Sequence, residues 1–182
     1  MRNEPWDYLI VTASNDRQAE AYRAQLEARR ALGLLSDVRD VLVVADPGGK
    51  RVGSGGSTLY CLMEVLAHRL QCGPAAVARA SCPCTPAAAR TSWPSKARPG
   101  WPRHVGLDPA AWEQVLGELR ILIVHAGGDS RRLPAYSACG KLFIPMPGEN
   151  DSAVCLSLFD RQLPTYLALP APTQGRGQVV MT

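Results

Sequence analysis

The residues best suited to chemistry lie at positions 125–141, in the stretch HAGGDSRRLPAYSACGK. Its paired glycines, Gly127 and Gly128, allow the backbone to take positive φ values and to approach a polyphosphate closely. Two arginines and Lys141 follow and supply positive charge. Paired glycines ahead of clustered cations predict a phosphate-binding loop. The alternative is an ordinary strand-to-helix turn with exposed arginines.

The segment before this loop, ILIVH at residues 121–125, predicts a buried parallel strand. A glycine-rich turn that leaves such a strand brings backbone N–H groups to the carboxyl edge of the sheet. Ligands usually bind at that edge in α/β proteins. The strand is therefore expected to position the loop.

A second glycine-rich stretch, GSGG at residues 53–56, precedes a long apolar pattern with helical spacing. We expect Ser57 or Thr58 to cap that helix, whose N-terminus would attract anions. Lys50 and Arg51 add positive charge just before the loop. The loop is thus a second candidate anion site, although a flexible turn that merely requires glycine is an open alternative.

The remaining pattern predicts an α/β domain with a mostly parallel sheet. Strands are expected at residues 8–13 and 41–45, with a helix over 16–34 between them and Asn15 or Asp16 as its N-cap. A further helix is expected over 153–169, with Val154, Leu158 and Leu163 facing inward, and QVVMT at residues 178–182 begins another strand. A chain of 182 residues suits a single globular core.

The Pro-, Ala- and Arg-rich segment at residues 73–107 lacks helical or strand periodicity, and we expect an inserted, disordered segment. It would separate an N-terminal part at residues 1–72 from the start of a core domain at residues 108–182. Five basic residues and no acidic ones lie in this segment, so the net charge of +4 is concentrated there. A nucleic-acid partner is not expected; the alternative is a basic arm that stacks nucleic acid on Trp93 and Trp101.

Composition excludes several classes of protein. No apolar run approaches the roughly 20 residues that a membrane span needs. Without an export signal the six cysteines are expected to be reduced thiols in a cytoplasmic protein. Cys82 and Cys84 have the wrong spacing for a CxxC site, and with three histidines a structural metal site is not expected.

The stretch AGGDSRRLP followed by GK resembles the signature loop of sugar-phosphate nucleotidyltransferases, whereas the GxxxxGK[ST] and GxGxxG patterns are absent. Three ordered blocks, YLIVTASNDRQAEAYRAQL, VVADPGGKRVGSGGSTLYCL and ILIVHAGGDSRRLPAYSACGKLFIPMP, resemble the GDP-L-fucose pyrophosphorylase family. That family includes the N-terminal domain of bifunctional L-fucokinase/GDP-fucose pyrophosphorylases. Three motifs in order are more specific than one glycine loop.

The resemblance implies a Rossmann-like nucleotidyltransferase fold and the transfer of a guanylyl group from GTP to L-fucose 1-phosphate, with Mg²⁺ as cofactor. It implies that Arg132 holds the leaving phosphates and that Lys141 contacts the α-phosphate or the sugar phosphate, which makes both catalytic candidates. No protein ligand to the metal is assigned. The implied nucleotide-binding residues are Gly53, Ser54, Gly55, Gly56, Ser57, Gly127, Gly128, Asp129, Ser130 and Arg131.

Family members are several times longer than this chain. We therefore expect a truncated domain, incomplete at its C-terminus, in which catalysis is impaired. The alternative is a non-catalytic fragment of a bifunctional L-fucokinase/GDP-fucose pyrophosphorylase.

Overall fold

The computed structural model of the protein describes residues 4–76, 109–127, 140–148, 153–172 and 177–182. Strands and helices alternate along most of the chain. Their order is β1 (Trp6–Ala13), α1 (Asp16–Ala31), β2 (Val38–Ala45), a 3-10 turn at Pro47–Gly49, α2 (Gly53–Ala76), α3 (Pro109–Leu116), β3 (Arg120–Val124), α4 (Leu158–Leu167) and β4 (Gln178–Met181).

The four strands form one sheet in the order β2-β1-β3-β4, and every pair is parallel. Val11 of β1 lies between Val43 of β2 and Val124 of β3. The chain first moves outward from β1 to β2 and then crosses to the other side of β1 for β3 and β4. This reversal is typical of doubly wound α/β sheets, so the predicted fold class is confirmed.

Two apolar cores cover the two faces of the sheet. On one face α1 contributes Tyr22 and Leu26, and α4 contributes Phe159 and Leu163. The other face packs against α2 and α3, whose apolar residues meet the inward side chains of β1, β2 and β3. Because both faces of the sheet are covered, the strands are continuous apolar runs and do not alternate between apolar and polar residues.

The predicted N-cap of α1 is confirmed. The Asn15 side chain accepts a hydrogen bond from the Gln18 backbone N–H at 2.9 Å. The Gln18 side chain in turn accepts from the Ser14 backbone N–H at 2.7 Å. These two bonds fix the direction in which the chain leaves β1 and enters the helix.

The helix predicted over residues 153–169 is shorter in the structure. Ser157 is the N-cap of α4, because its side chain accepts from the Asp160 N–H and its own N–H donates to the Asp160 carboxylate. Phe159 rather than Leu158 is buried beside Leu163. The predicted inward orientation of Leu158 was therefore wrong.

Helix α2 continues to Ala76, past the predicted start of the insertion at Gly73. The rest of that segment up to residue 107, including both tryptophans considered for stacking, lies outside the described residues. Across the helices that the structure describes, none has the length and apolar character needed to cross a membrane.

Candidate functional site

A cleft of about 170 Å³ opens at the carboxyl edge of the sheet. It lies where the strand order reverses between β1 and β3, which is the usual ligand position in doubly wound sheets. Its lining comes from the ends of three strands and the first turn of α2: Thr12, Asp46, Arg51, Gly53, Ser54, Ser57, His125 and Gly127.

The start of the loop that follows β3 is tied to the end of β1. The buried Thr12 hydroxyl oxygen accepts hydrogen bonds from the backbone N–H groups of Ala126 at 3.1 Å and Gly127 at 3.3 Å. A Cβ on Gly127 would lie 3.4 Å from the Ala13 carbonyl carbon, so the glycine packs closely on the main chain of β1. The backbone beside the cleft is therefore held in a defined position.

Helix α1 contacts both ends of the loop that carries the predicted phosphate-binding residues. The Tyr22 hydroxyl donates to the Ala126 carbonyl at 3.3 Å, and Tyr22 also packs against Gly140, whose φ is +67°. Burial raises the pKa of Tyr22 to about 12, so its hydroxyl stays a donor at any physiological pH. One residue of α1 therefore contacts the chain at both ends of this loop.

The second glycine stretch forms the first turn of α2 and is not a loop ahead of it. The helix begins at Gly53, whose φ is +73°, so Ser57 and Thr58 lie inside the helix and the predicted cap at either residue was wrong. Thr58 Oγ1 instead donates back to the Ser54 carbonyl at 2.9 Å. Because the first N–H groups of a helix have no acceptor within it, this turn presents donors and positive potential to the cleft.

Three ionisable side chains line the cleft. Burial raises the pKa of Asp46, and the positive charge of Arg51 and the imidazole of His125 partly oppose that rise. Burial lowers the pKa of His125, while the Asp46 carboxylate acts in the opposite direction. Both shifts favour the neutral forms of these two groups.

A larger groove of about 1050 Å³ lies away from this edge, beside α1 and α4. Trp6, Leu35 and Phe159 are among the apolar residues that line it, and its charged pair, Arg29 and Asp160, is joined within the protein at 2.6 Å. The groove contains neither glycine stretch. The smaller cleft is therefore the candidate site for an anionic ligand.

The structure brings part of the two predicted loops together. Gly53, Ser54, Ser57 and Gly127 line the cleft. Gly55 and Gly56 lie in the same turn of α2 but not in the lining, and Lys141 is exposed and also absent from it. Gly128, Asp129, Ser130, Arg131 and Arg132 lie outside the described residues, so their predicted roles stay predictions.

Thr12, Asp46 and His125 were not among the predicted site residues, although all three line the cleft. Each lies at or directly after the carboxyl end of a strand. That position is a signal the sequence contains, because the carboxyl ends of parallel strands meet at one edge.

The described residues do not form a site for Mg²⁺ by themselves. None of the described parts of the chain brings together three or more His, Cys, Asp or Glu side chains that could hold a metal ion. The predicted Mg²⁺ stays a prediction.

Comparison with known proteins supports the family resemblance. Residues 113–182 match the fucose pyrophosphorylase domain model. Over these residues the chain is similar to fucose pyrophosphorylases. The matched residues include β3, the glycine-rich stretch that follows it, α4 and β4.

Several characterised proteins are similar over most of this chain. A bifunctional fucokinase/GDP-fucose pyrophosphorylase of Arabidopsis thaliana is 30% identical over 142 residues, which is 78% of this chain and 11% of the relative. The fucose-1-phosphate guanylyltransferase of Mus musculus is 30% identical over 79% of this chain and 17% of its own length. The Homo sapiens enzyme of the same name is 28% identical over 93% of this chain and 20% of its own length.

This chain therefore spans about a fifth or less of the length of those proteins. No solved structure shows significant similarity to it.

Proposed function

We propose that this chain provides the nucleotide-binding part of a fucose-1-phosphate guanylyltransferase site. In that reaction a phosphate oxygen of L-fucose 1-phosphate attacks the α-phosphorus of GTP, the bond to the β-phosphate breaks, and pyrophosphate leaves as GDP-fucose forms. The observation that carries the proposal is the cleft in which the first turn of α2, Arg51 and Gly127 converge at the sheet's switch point.

Electrostatics support this assignment. Both substrates are anions, so a site that joins them needs donors that offset their repulsion and the charge developing on pyrophosphate. Arg51 supplies positive charge, and the start of α2 supplies backbone donors. Gly127 lines the cleft without a side chain that could obstruct a phosphate.

The predicted roles of Arg132 and Lys141 belong to this proposal. Arg132 would hold the leaving phosphates, and Lys141 would contact the α-phosphate or the sugar phosphate. We propose that Mg²⁺ enters with the nucleotide phosphates, since the described residues do not themselves form a metal site. No step is assigned to the metal.

Calorimetric titration with GTP and Mg²⁺ tests the binding role. The Arg51→Ala variant should bind GTP about tenfold more weakly, because a charge-assisted contact is lost. Arg30→Ala is the matched control: Arg30 is an exposed arginine in the last turn of α1, and its removal should leave the affinity unchanged. The double variant Arg132→Ala, Lys141→Ala tests the predicted catalytic residues in the same way. Equal affinities for wild type and Arg51→Ala would contradict the site assignment.

A second measurement separates catalysis from binding. Pyrophosphate release from GTP and L-fucose 1-phosphate is expected only if this chain also supplies the catalytic groups. GTP binding without pyrophosphate release would favour the alternative, a non-catalytic fragment of a bifunctional L-fucokinase/GDP-fucose pyrophosphorylase. The small share of the relatives that this chain spans, 11% to 20%, is the observation behind that alternative.

A further inference from the structure

The His125 side chain is hydrogen-bonded on one ring nitrogen only among the described residues. Its Nε2 lies 3.1 Å from Thr58 Oγ1. The same hydroxyl lies 2.9 Å from the Ser54 carbonyl oxygen and 3.1 Å from Met181 Sδ. One hydroxyl group therefore meets three potential partners.

These contacts assign the tautomer of His125. A hydroxyl has one hydrogen to donate, and neither the Ser54 carbonyl nor the Met181 thioether has one to give. Both can only accept, and the single hydroxyl hydrogen is donated to the Ser54 carbonyl, the shorter contact and the stronger acceptor. His125 Nε2–H then donates to the Thr58 oxygen. Nδ1 then carries a lone pair, and His125 lines the cleft.

In this tautomer His125 adds no positive charge to the cleft. Among the described lining residues Arg51 is cationic and Asp46 is acidic. A lone pair on Nδ1 would also repel a phosphate oxygen. One proton added to Nδ1 turns this acceptor into a charged donor and adds one positive charge beside the polyphosphate.

We propose that His125 binds the polyphosphate of the nucleotide through Nδ1 and takes up a proton from solvent as it does so. The inference rests on the proposed function, since it concerns the same cleft. No covalent bond forms or breaks: one proton moves from solvent to Nδ1, and the N–H then donates to a phosphate oxygen. Thr58 holds the ring through Nε2 throughout.

The surroundings of His125 set the direction of the pH dependence. Among the described residues, the charged groups facing it are Asp46, which follows β2, and Arg51, which precedes α2. Helix α2 contributes Thr58, and β4 and the residue after it contribute Met181 and the Thr182 backbone oxygen. Burial lowers the pKa of free His125, which favours the neutral ring, while the Asp46 carboxylate acts in the opposite direction. A bound phosphate raises that pKa, so affinity should increase as the pH falls between the two values.

Calorimetry with GTP in buffers of different ionisation enthalpy measures the proton uptake. Wild type should take up a fraction of a proton near neutral pH, and its affinity should rise by up to tenfold per unit decrease in pH. His125→Gln keeps a side-chain donor toward Thr58 but cannot titrate, so it should lose this additional uptake. Protonation of GTP itself contributes equally to both proteins and cancels in the comparison.

The outcomes separate this inference from the proposed function. If wild type does not bind GTP, the proposed function fails. If wild type binds GTP but shows the same proton uptake as His125→Gln, the proposed function stands and the role of His125 is overturned. Uptake that persists in His125→Gln and disappears in Asp46→Asn would assign the proton to Asp46 instead.

A measurement on wild type covers the case in which His125→Gln does not fold. The imidazole resonance of His125 should titrate at a higher pH with GTP bound than without it. The His68→Gln and His104→Gln variants assign the three histidine signals. An unchanged His125 titration on saturation with GTP would overturn the inference.

Discussion

The phenol of Tyr22 occupies the space that a side chain at residue 140 would need. A Cβ built on Gly140 would lie 1.9 Å from Tyr22 Oη, and the same hydroxyl donates to the Ala126 carbonyl at 3.3 Å. One side chain of α1 therefore contacts the residue that precedes Gly127 and the residue that precedes Lys141. A single buried ring thus holds both ends of the intervening segment.

Gly140→Ala should destabilise the protein by about 3 kcal/mol, because it combines a left-handed backbone with a steric clash. Gly48→Ala is the matched control, since Gly48 has a similar φ of +61° and no atom lies within 4 Å of the position that its Cβ would take. The control should lose about 1 kcal/mol. Urea unfolding measures both free energies. Equal losses would show that Tyr22 does not restrict residue 140.

Thr12→Val should destabilise the start of the glycine loop, because the hydroxyl that accepts from Ala126 and Gly127 is replaced by a methyl group of similar size. The expected cost is about 1–3 kcal/mol, with weaker GTP binding. Thr12→Ser keeps the acceptor and should retain most of the affinity. The measurements are urea unfolding and calorimetry. Similar affinities for the valine and serine variants would contradict the role of the hydroxyl.

Asp160→Asn should destabilise the protein by about 3 kcal/mol at neutral pH, because it leaves the buried Arg29 guanidinium without its carboxylate partner. Arg161→Ala, an exposed neighbour whose side chain donates to the Pro147 carbonyl, should cost less than about 0.5 kcal/mol. Urea unfolding measures both. A loss no larger than that of Arg161→Ala would contradict the importance of the ion pair.

The stabilisation from Asp160 should also depend on pH. Burial alone would raise the pKa of Asp160, but hydrogen bonds from Arg29 and Ser157 lower it below its ordinary value. A carboxylate with a lowered folded-state pKa stabilises above its unfolded pKa of about 3.9 and loses that contribution as the pH falls through the folded value. The difference in unfolding free energy between wild type and Asp160→Asn should therefore shrink below about pH 4. A constant difference at still lower pH would contradict this assignment.

Cys61 and Cys155 should differ in reactivity. Burial, together with the nearby carboxylates of Glu64 and Asp46, raises the pKa of the Cys61 thiol to about 12, whereas Cys155 is exposed. Because the thiolate is the reactive form, iodoacetamide should modify Cys155 in the native protein and leave Cys61 unmodified. Peptide mass mapping reads both sites, and unfolding in urea should make both reactive. Rapid labelling of native Cys61 would contradict its burial.

The sequence by itself determined the main elements, because their signals are local. Apolar runs predicted β1, β2 and β3, and Asn15 or Asp16 as N-cap predicted the start of α1. Three ordered blocks, at residues 8–26, 43–62 and 121–147, also predicted the family resemblance that the comparisons confirm. Each signal lies within a few neighbouring residues, whose backbone preferences do not depend on distant contacts.

The tertiary structure alone decided which residues meet. From the sequence alone, Arg29 is one of several charged residues of α1 that could face solvent. It is instead buried, because the carboxylate of Asp160, 131 positions away, neutralises its charge. Asp46 and His125 likewise reach one cleft only because parallel pairing aligns the ends of β2, β1 and β3. The electrostatics of a site depend on all the charged residues that the strand order brings together. Because these residues are far apart in the chain, no short stretch of sequence reveals them.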